Sequence, residues 1–334
     1  MRWLLIFLPL GLLLAWRQVP GIWVFLTAAL ALIPLADALT QSTDRVAARL
    51  GERWGALISV SLSNAPELIF GGVALAAGEV ELVKISLIGS ILSNLLLVLG
   101  LAMLFGGLRN LALSFSPRAA RLTVSLLILS LIVIVLPSFL GRQIEAYTVG
   151  AAFVLLLTYG ATLLFSLYTH RGWLGGRTLV AASGGVLREL LVLIAVSFGI
   201  ALASHLLVSS LPALSARGVP PLFVGGVLIP FLANAAEHVS AIRFALEDRM
   251  DLAVELSAGS SLQIALFTLP LLLLLGGLLG HPWLLSFNKT WWLAALGAAI
   301  LIAAEVLRDG ETHWLEGVLL LGIYALIAWG LWLY

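Results

Sequence analysis

Two short polar stretches, NAPEL at residues 64–68 and NAAEH at residues 234–238, lie inside long apolar runs and decide how this chain folds. Each places an asparagine three residues before a glutamate, and the second copy follows the first by 170 residues. A charged side chain at the centre of a membrane helix costs about 2.5–3.5 kcal/mol on insertion scales, so it marks a functional site by default. A protonated glutamate that merely holds two helices together is the alternative, but that role needs no second copy. The repetition therefore favours a duplicated functional site.

The composition around these stretches is that of a membrane protein. Of the 334 residues, 61% are hydrophobic and 10% are charged, and the mean hydropathy is +1.11. Soluble proteins carry about 25% charged residues, so this chain has too few to cover its surface in water, and most of the protein's surface must face lipid. The net charge of +1 indicates no nucleic-acid partner. The absence of cysteine excludes disulfides, thiolate metal sites and a cysteine nucleophile.

The hydropathy pattern predicts an all-α integral membrane protein with eleven transmembrane helices. A span needs about 20 mostly apolar residues, and ten-residue alternating segments typical of a strand barrel are not seen. The predicted spans lie near 3–19, 21–40, 55–77, 84–106, 120–140, 145–169, 187–210, 219–245, 252–279, 288–307 and 314–333. No small-residue cleavage site follows the first segment, so we expect it to be retained as a span rather than removed as a signal peptide.

The lysine and arginine residues predict the orientation. With eleven spans, 13 of them lie on the side of the N-terminus and 5 on the other side. The positive-inside rule then predicts a cytoplasmic N-terminus and an external C-terminus. We expect the membrane to be a bacterial plasma (inner) membrane.

The 170-residue offset also relates Gly89-Ser90 to Gly259-Ser260. This internal duplication predicts that the chain has four parts. They are a leading transmembrane helix at 1–20, a first five-helix repeat at 21–169, a cytoplasmic linker at 170–186 and a second five-helix repeat at 187–334. Because five spans per repeat is an odd number, the second repeat is inverted relative to the first. Inverted repeats are typical of transporters, whose site lies near the membrane midplane.

The candidate cation-binding and proton-binding residues are the two asparagine–glutamate pairs, Asn64 with Glu67 and Asn234 with Glu237. Residues three apart on a helix share one face, so we expect each pair to point to the same side. Two carboxylates and two amides supply only oxygen ligands, which hard cations prefer. Ca²⁺ takes six to eight oxygens in flexible geometry, and Mg²⁺ fits less well because it gives up its waters reluctantly.

Two prolines add backbone carbonyls to this set. Pro66 has no N–H that could donate a helical hydrogen bond to the carbonyl of Leu62. Pro230 likewise cannot donate one to the carbonyl of Gly226. Such carbonyls are tolerated at membrane depth only where they line a protein cavity. Leu62 and Gly226 are therefore possible ligands.

Other polar residues of these spans are weaker candidates. Ser90, Ser93, Ser260 and Gln263 are possible ligands or pore-lining residues, although small residues also let membrane helices approach closely. His238 is a possible proton relay beside Glu237, but adjacent residues point about 100° apart on a helix, so a packing role is equally open. Glu255 and Glu305 lie near span ends and are interpreted as interfacial groups.

At these residues the sequence resembles the calcium/proton exchanger family of the calcium/cation antiporter superfamily. The family's duplicated motif reads roughly GNAxELI and GNAAEH. The matching stretches are SNAPELI (63–69), ANAAEHVSAI (233–242), SLIGSILSNLLLVLGLAMLFGG (86–107), GSSLQIALF (259–267) and DGETHWLEGVLLLGIYALIA (309–328). The resemblance covers about 20–334 and implies that Glu67 and Glu237 carry the cation, assisted by Asn64 and Asn234. Ser63 and Ala233 replace the usual glycine of the motif.

The leading hypothesis is a secondary antiporter that exchanges Ca²⁺ for H⁺ by alternating access, with the lipid bilayer as its environment. Without a cation, two close carboxylates repel each other and are poorly solvated, so they take up protons, which a divalent cation expels. A sodium-coupled or other divalent-cation exchanger of the same superfamily is the alternative. An intramembrane hydrolase is disfavoured because its motifs are absent, so no enzyme activity, catalytic residue or cofactor is predicted. The sequence leaves open whether the protein forms a homo-oligomer.

Overall fold

The fold is known from a computed structural model that describes residues 2–139, 144–170, 186–285 and 290–333. Its helices, in chain order, are α1 (Trp3–Trp16), α2 (Gly21–Arg49), α3 (Gly51–Leu62), α4 (Ala65–Ala76), α5 (Val80–Asn110), α6 (Pro117–Val135), α7 (Ala146–Thr169), α8 (Leu187–Ser215), α9 (Pro221–Ala233), α10 (Ala235–Leu246), α11 (Met250–Leu278), α12 (Thr290–Val306) and α13 (Trp314–Leu333). All but the first and last residues of the predicted linker at 170–186 lie outside the described residues.

The prediction of a helical membrane protein is confirmed. Within the described residues, seven helices are long and apolar enough to span a bilayer, and the bent pair α9–α10 is an eighth candidate. Three further apolar helices, α1, α4 and α12, are shorter. Each predicted span coincides with a helix or a broken pair of helices, while the count of eleven spans stays a prediction.

Two predicted spans are interrupted rather than continuous. The segment predicted at 55–77 consists of α3 and α4, separated by a turn at Ser63 and Asn64. The segment predicted at 219–245 consists of α9 and α10, which bend by 58° at Asn234. In the first case Pro66 explains the break, since proline fits the first turn of a new helix and cannot continue the old one.

The chain divides into two compact units. Unit 1 comprises residues 1–86, 176–236 and 331–334, and unit 2 comprises residues 87–175 and 237–330. In unit 1, α2 and α8 pack along each other, and both helices carry fully buried small residues, such as Ala28 and Ala31 of α2 and Ala203 of α8. Small side chains allow the close helix contact that stabilises association in lipid.

Unit 2 contains a short antiparallel ladder between β1 (Leu113–Ser114) and β2 (Glu311–Thr312), the exception to the all-α prediction among the described residues. The carboxylate of Glu316 accepts hydrogen bonds from the Thr312 hydroxyl (2.7 Å) and from the His313 N–H (3.3 Å), which joins β2 to the start of α13. Beyond this point, α13 packs against α5 with Gly317 directly beside the backbone of Leu104. The ladder and this contact hold the start of α13 against α5.

Candidate functional site

The first motif lies where the helix of unit 1 is broken. Asn64 is in the bridge region of the backbone (φ −98°, ψ 27°), and α4 begins at the next residue. Many active-site residues adopt this sparsely populated conformation. Asn64 and Glu67 are only 3% and 7% exposed. Asn64 is the N-cap residue directly before α4, and Glu67 lies in the first turn of that helix, so the expectation that the pair points to the same side stays a prediction.

The second motif repeats this arrangement. Asn234 has nearly the same backbone conformation (φ −98°, ψ 9°), is 2% exposed and separates α9 from α10. Glu237 lies in the first turn of α10 and is partly buried. The N-terminal end of a helix carries partial positive charge that stabilises a carboxylate by about 0.3–1 kcal/mol at exposed sites. Each glutamate thus lies at the N-terminal end of a half-helix.

Unit 2 shows a direct partner of Glu237. The Ser260 hydroxyl on α11 donates a hydrogen bond to Oε2 of Glu237 at 3.3 Å. Ser260 is buried, and Gln263, three residues further along the same helix, is partly buried. The structure therefore brings together two of the predicted residues, the carboxylate and Ser260, and places Gln263 on the neighbouring turn.

The helices that follow the two motifs share a local distortion. α5 contains a π-helical segment at Ser93–Val98, and α11 contains one at Ile264–Thr268. The last five residues of the first segment correspond to the second at the same 170-residue offset. Such segments are rare and occur frequently at functional sites, because they displace the helical hydrogen bonds by one residue.

Two more buried polar residues of unit 2, Asn94 and Tyr324, were not predicted from the sequence as site residues. Asn94 is fully buried, and neither its Oδ1 nor its Nδ2 has a hydrogen-bond partner among the described residues. The buried Tyr324 lies beside Ser93, itself fully buried. Asn94 was missed because its partner at the offset is the apolar Ile264. A polar residue inside an apolar run was the signal that could have found it.

The remaining candidates differ in how closely they approach the breaks. Leu62 is the last residue of α3, and the final carbonyls of a helix lack partners within it. Gly226 lies within a π-helical turn (Val224–Leu228), eight residues before Asn234 and therefore away from the break. Ser90 and His238 are buried within α5 and α10.

The pattern of the family described as sodium/calcium exchanger protein matches residues 20–168 and 188–333. The chain belongs to this family. Sodium/calcium exchanger proteins are transporters, which agrees with the prediction that the chain is not an enzyme.

Individual relatives confirm the predicted link to calcium/proton exchangers. A Ca²⁺/H⁺ antiporter of Aphanothece halophytica is 39% identical over 350 residues, which cover 97% of this chain and 94% of the relative. One of Synechocystis sp. is 37% identical over 353 residues, covering 97% and 95%. The crystal structure of the Ca²⁺/H⁺ antiporter protein YfkE matches with a TM-score of 0.86 and 31% identity over 100% of both chains.

Proposed function

We propose that this multi-pass membrane protein is a Ca²⁺/H⁺ antiporter in which Glu67 and Glu237 bind the transported cation near the membrane midplane. The observation that carries the proposal is the repeated motif geometry. Each glutamate lies in the first turn of a half-helix that begins directly after an asparagine in the bridge conformation. Discontinuous helices are typical of transporter binding sites. The names of the curated relatives support the choice of Ca²⁺ and H⁺.

The other oxygens of the site follow from the same residues. The amides of Asn64 and Asn234 and the Ser260 hydroxyl each contribute a neutral oxygen, as does the carbonyl of Leu62 at the end of α3. Ca²⁺ accepts such a mixed set because it binds six to eight oxygens with little demand for fixed geometry. Its charge of two matches two ionised glutamates. The ion is the substrate here, and the proposal requires no cofactor.

We also propose that the chain consists of a leading helix and two inverted five-helix repeats, with eleven spans and a cytoplasmic N-terminus. Two observations support the repeats. The family pattern matches each half of the chain, and the asparagine breaks and π-helical segments recur at the 170-residue offset. Alternating access of such repeats gives exchange if the empty, charged site cannot cross the membrane.

The identity of the counter-ion, H⁺ or Na⁺, distinguishes a Ca²⁺/H⁺ antiporter from a sodium-coupled exchanger. We expect an outward proton gradient to drive Ca²⁺ uptake into proteoliposomes without sodium, and the vesicle interior to become more alkaline as protons leave. Flux of ⁴⁵Ca and an internal pH dye measure the two movements at once. Vesicles without protein are the control. A strict requirement for Na⁺ would assign the chain to the sodium-coupled branch instead.

A second prediction concerns competition between the two substrates. Because protons and Ca²⁺ occupy the same carboxylates, lowering the pH should reduce the apparent Ca²⁺ affinity, by up to about tenfold per pH unit for each competing proton. Saturating Ca²⁺ should restore full binding. Equilibrium ⁴⁵Ca binding over a pH series tests this on wild type and His238→Gln.

We expect the competition to survive in His238→Gln, since the carboxylates and not the imidazole are shared. A proton path through His238 would instead leave wild-type affinity independent of pH and reduce maximal flux in the variant. That result would contradict the shared-site mechanism even in a working Ca²⁺/H⁺ exchanger.

A further inference from the structure

Glu189 of unit 1 is a buried carboxylate that the proposed cation site does not use. It lies in the first turn of α8 and is 2% exposed, less than the site residue Glu67 at 7%. Its neighbours on the helix point outward, since Leu187 and Leu191 are 71% and 58% exposed. A helix N-terminus favours a carboxylate, but an exposed carboxylate satisfies that preference equally well. A buried carboxylate needs a partner of opposite charge.

The partner is Arg45, near the end of α2. Its Nε lies 3.6 Å from Oε2 of Glu189, and the same Nε donates a hydrogen bond to the backbone carbonyl of Gln41 at 3.1 Å. At 3.6 Å the contact with Glu189 is an attraction between charges rather than a hydrogen bond. The side chain of Arg45 is 37% exposed and that of Glu189 only 3%. The carboxylate therefore depends on this ion pair more than the arginine does, because water reaches the arginine.

The opposite end of the α2–α8 pair is held in a different way. A Cβ atom added at Gly21, where α2 begins, would lie 2.6 Å from Cβ of Ala213 on α8, so the two helices are in close contact there. Neither charge of the ion pair is duplicated, because the residues at the 170-residue offset are Ser215 and Val19. Small residues thus join α2 to α8 at one end, and opposite charges join them at the other.

The residue before Arg45 makes a polar contact with a different helix. The buried Ser59 hydroxyl of α3 donates a hydrogen bond to Oδ1 of Asp44 at 2.7 Å. The end of α2 therefore contacts both α3 and α8 through charged side chains. Since α3 leads through the break at Asn64 into α4, the first of these contacts bears on the half-helix that carries Glu67.

The second contact bears on the same half-helix from another side, because α8 is the helix on which α4 rests. Within unit 1, α4 packs against α8, and Glu67 lies in the first turn of α4. Apolar surface gives little drive for helix association in a bilayer, since lipid is as apolar as the side chains. An ion pair at the start of α8 adds an attraction that apolar packing lacks. A displacement of α8 along α2 would also displace α4 and the carboxylate of Glu67.

We propose that Arg45 and Glu189 are positioning residues that form a clamp, which holds the start of α8 on the end of α2 throughout the transport cycle. The clamp thereby fixes the half-helix that carries Glu67. The inference rests on the proposed antiport function. Neither residue is a proposed ligand of the cation, so loss of the clamp lowers turnover more than it lowers Ca²⁺ affinity.

Single substitutions test the contribution of each charge. In ⁴⁵Ca uptake by proteoliposomes with an imposed proton gradient, Glu189→Gln is expected to lower kcat about fivefold, equivalent to about 1 kcal/mol, with KM nearly unchanged. Arg45→Gln should lower kcat and the melting temperature further, because it leaves the buried carboxylate without its partner charge. Arg45→Lys keeps the charge and should retain most of the wild-type kcat. Arg308→Gln is the matched control, since the exposed pair of Arg308 with Glu305, three residues apart in one chain segment, cannot join two helices.

A chemical cross-link tests the clamp directly, and the absence of cysteine from the chain makes the link specific. The double variant Arg45→Cys/Glu189→Cys removes both charges together, so it leaves neither charge of the pair buried alone, and it should show the low kcat of Glu189→Gln. A short bifunctional thiol reagent that joins the two cysteines is expected to restore kcat to near the wild-type value. A monofunctional thiol reagent should not restore it, and mass spectrometry verifies the link.

Inhibition by the cross-link would show that α2 and α8 must separate at this end during transport, and it would overturn the clamp. A verified link that restores no turnover, a wild-type kcat in Glu189→Gln or an equal loss in Arg308→Gln would overturn it too. In each of these cases exchange by the wild type upholds the proposed function, whereas absence of Ca²⁺/H⁺ exchange in the wild type would overturn both. The cross-linked double variant also decides the question if a single substitution does not give folded protein.

Discussion

Glutamine at position 67 or 237 is expected to reduce Ca²⁺/H⁺ exchange at least about a hundredfold while the protein stays folded, equivalent to about 2.7 kcal/mol or more. Each substitution removes one of the two charges that neutralise the ion, and a neutral amide also cannot exchange a proton. Both side chains lie at a helix N-terminus, where glutamine keeps the shape of the residue. Initial ⁴⁵Ca uptake into proteoliposomes with an imposed proton gradient measures the loss.

Graded controls belong to the same experiment. Glu305→Gln, an exposed carboxylate on α12, should transport normally. Asn64→Ala and Asn234→Ala should lower exchange only about tenfold, since each amide contributes one neutral oxygen, and neutral hydrogen-bonding groups are worth about 1 kcal/mol. Size-exclusion chromatography and thermal melting confirm folding. Near-normal flux in either glutamate variant would show that the cation binds elsewhere.

Alanine at position 317 is expected to destabilise unit 2 by about 3 kcal/mol or more. A Cβ atom there would lie 2.5 Å from the backbone N of Leu104 and 2.6 Å from the carbonyl oxygen of Gly100. Backbone atoms cannot move aside as a flexible side chain does, so α13 must separate from α5. The melting temperature in detergent should fall by roughly 6–12 °C.

Gly322→Ala is the matched control on the same helix. A Cβ atom at Gly322 meets no atom of the described residues within 4 Å. Alanine in a helix is favoured over glycine by about 0.5–1 kcal/mol, so this variant should be as stable as wild type or slightly more stable. Equal melting temperatures for the two variants would contradict the close contact between α5 and α13.

Much of this protein could be predicted from its sequence because the deciding features are local. Apolar runs of span length predict membrane helices wherever they occur, and charged residues within them are costly enough to stand out. Glu67 and Glu237 could therefore be proposed as site residues without any contact, as could their asparagines. The duplication extended this prediction to Ser260, whose hydrogen bond to Glu237 the structure shows.

The same reasoning could not predict where helices are interrupted. Proline at position 66 marks the end of one helical run of hydrogen bonds. The break at Asn234 has no proline beside it, and its bend of 58° is seen only in the structure. A search based on the duplicated spacing also misses polar residues whose counterpart in the other repeat is apolar. Asn94 and Glu255 correspond to Ile264 and Ile85, so a search for repeated polar residues passes over them.

The sequence by itself thus determined the membrane class and the helical fold, and it indicated the two glutamates as candidate site residues, since hydropathy and intramembrane charge are properties of single segments. Only the tertiary structure decided which groups meet: the Ser260 hydroxyl with Glu237, and Gly317 with the backbone of α5. Such contacts depend on the hydrogen-bond register within a helix and on packing between helices far apart in the chain, and neither is encoded in a local pattern.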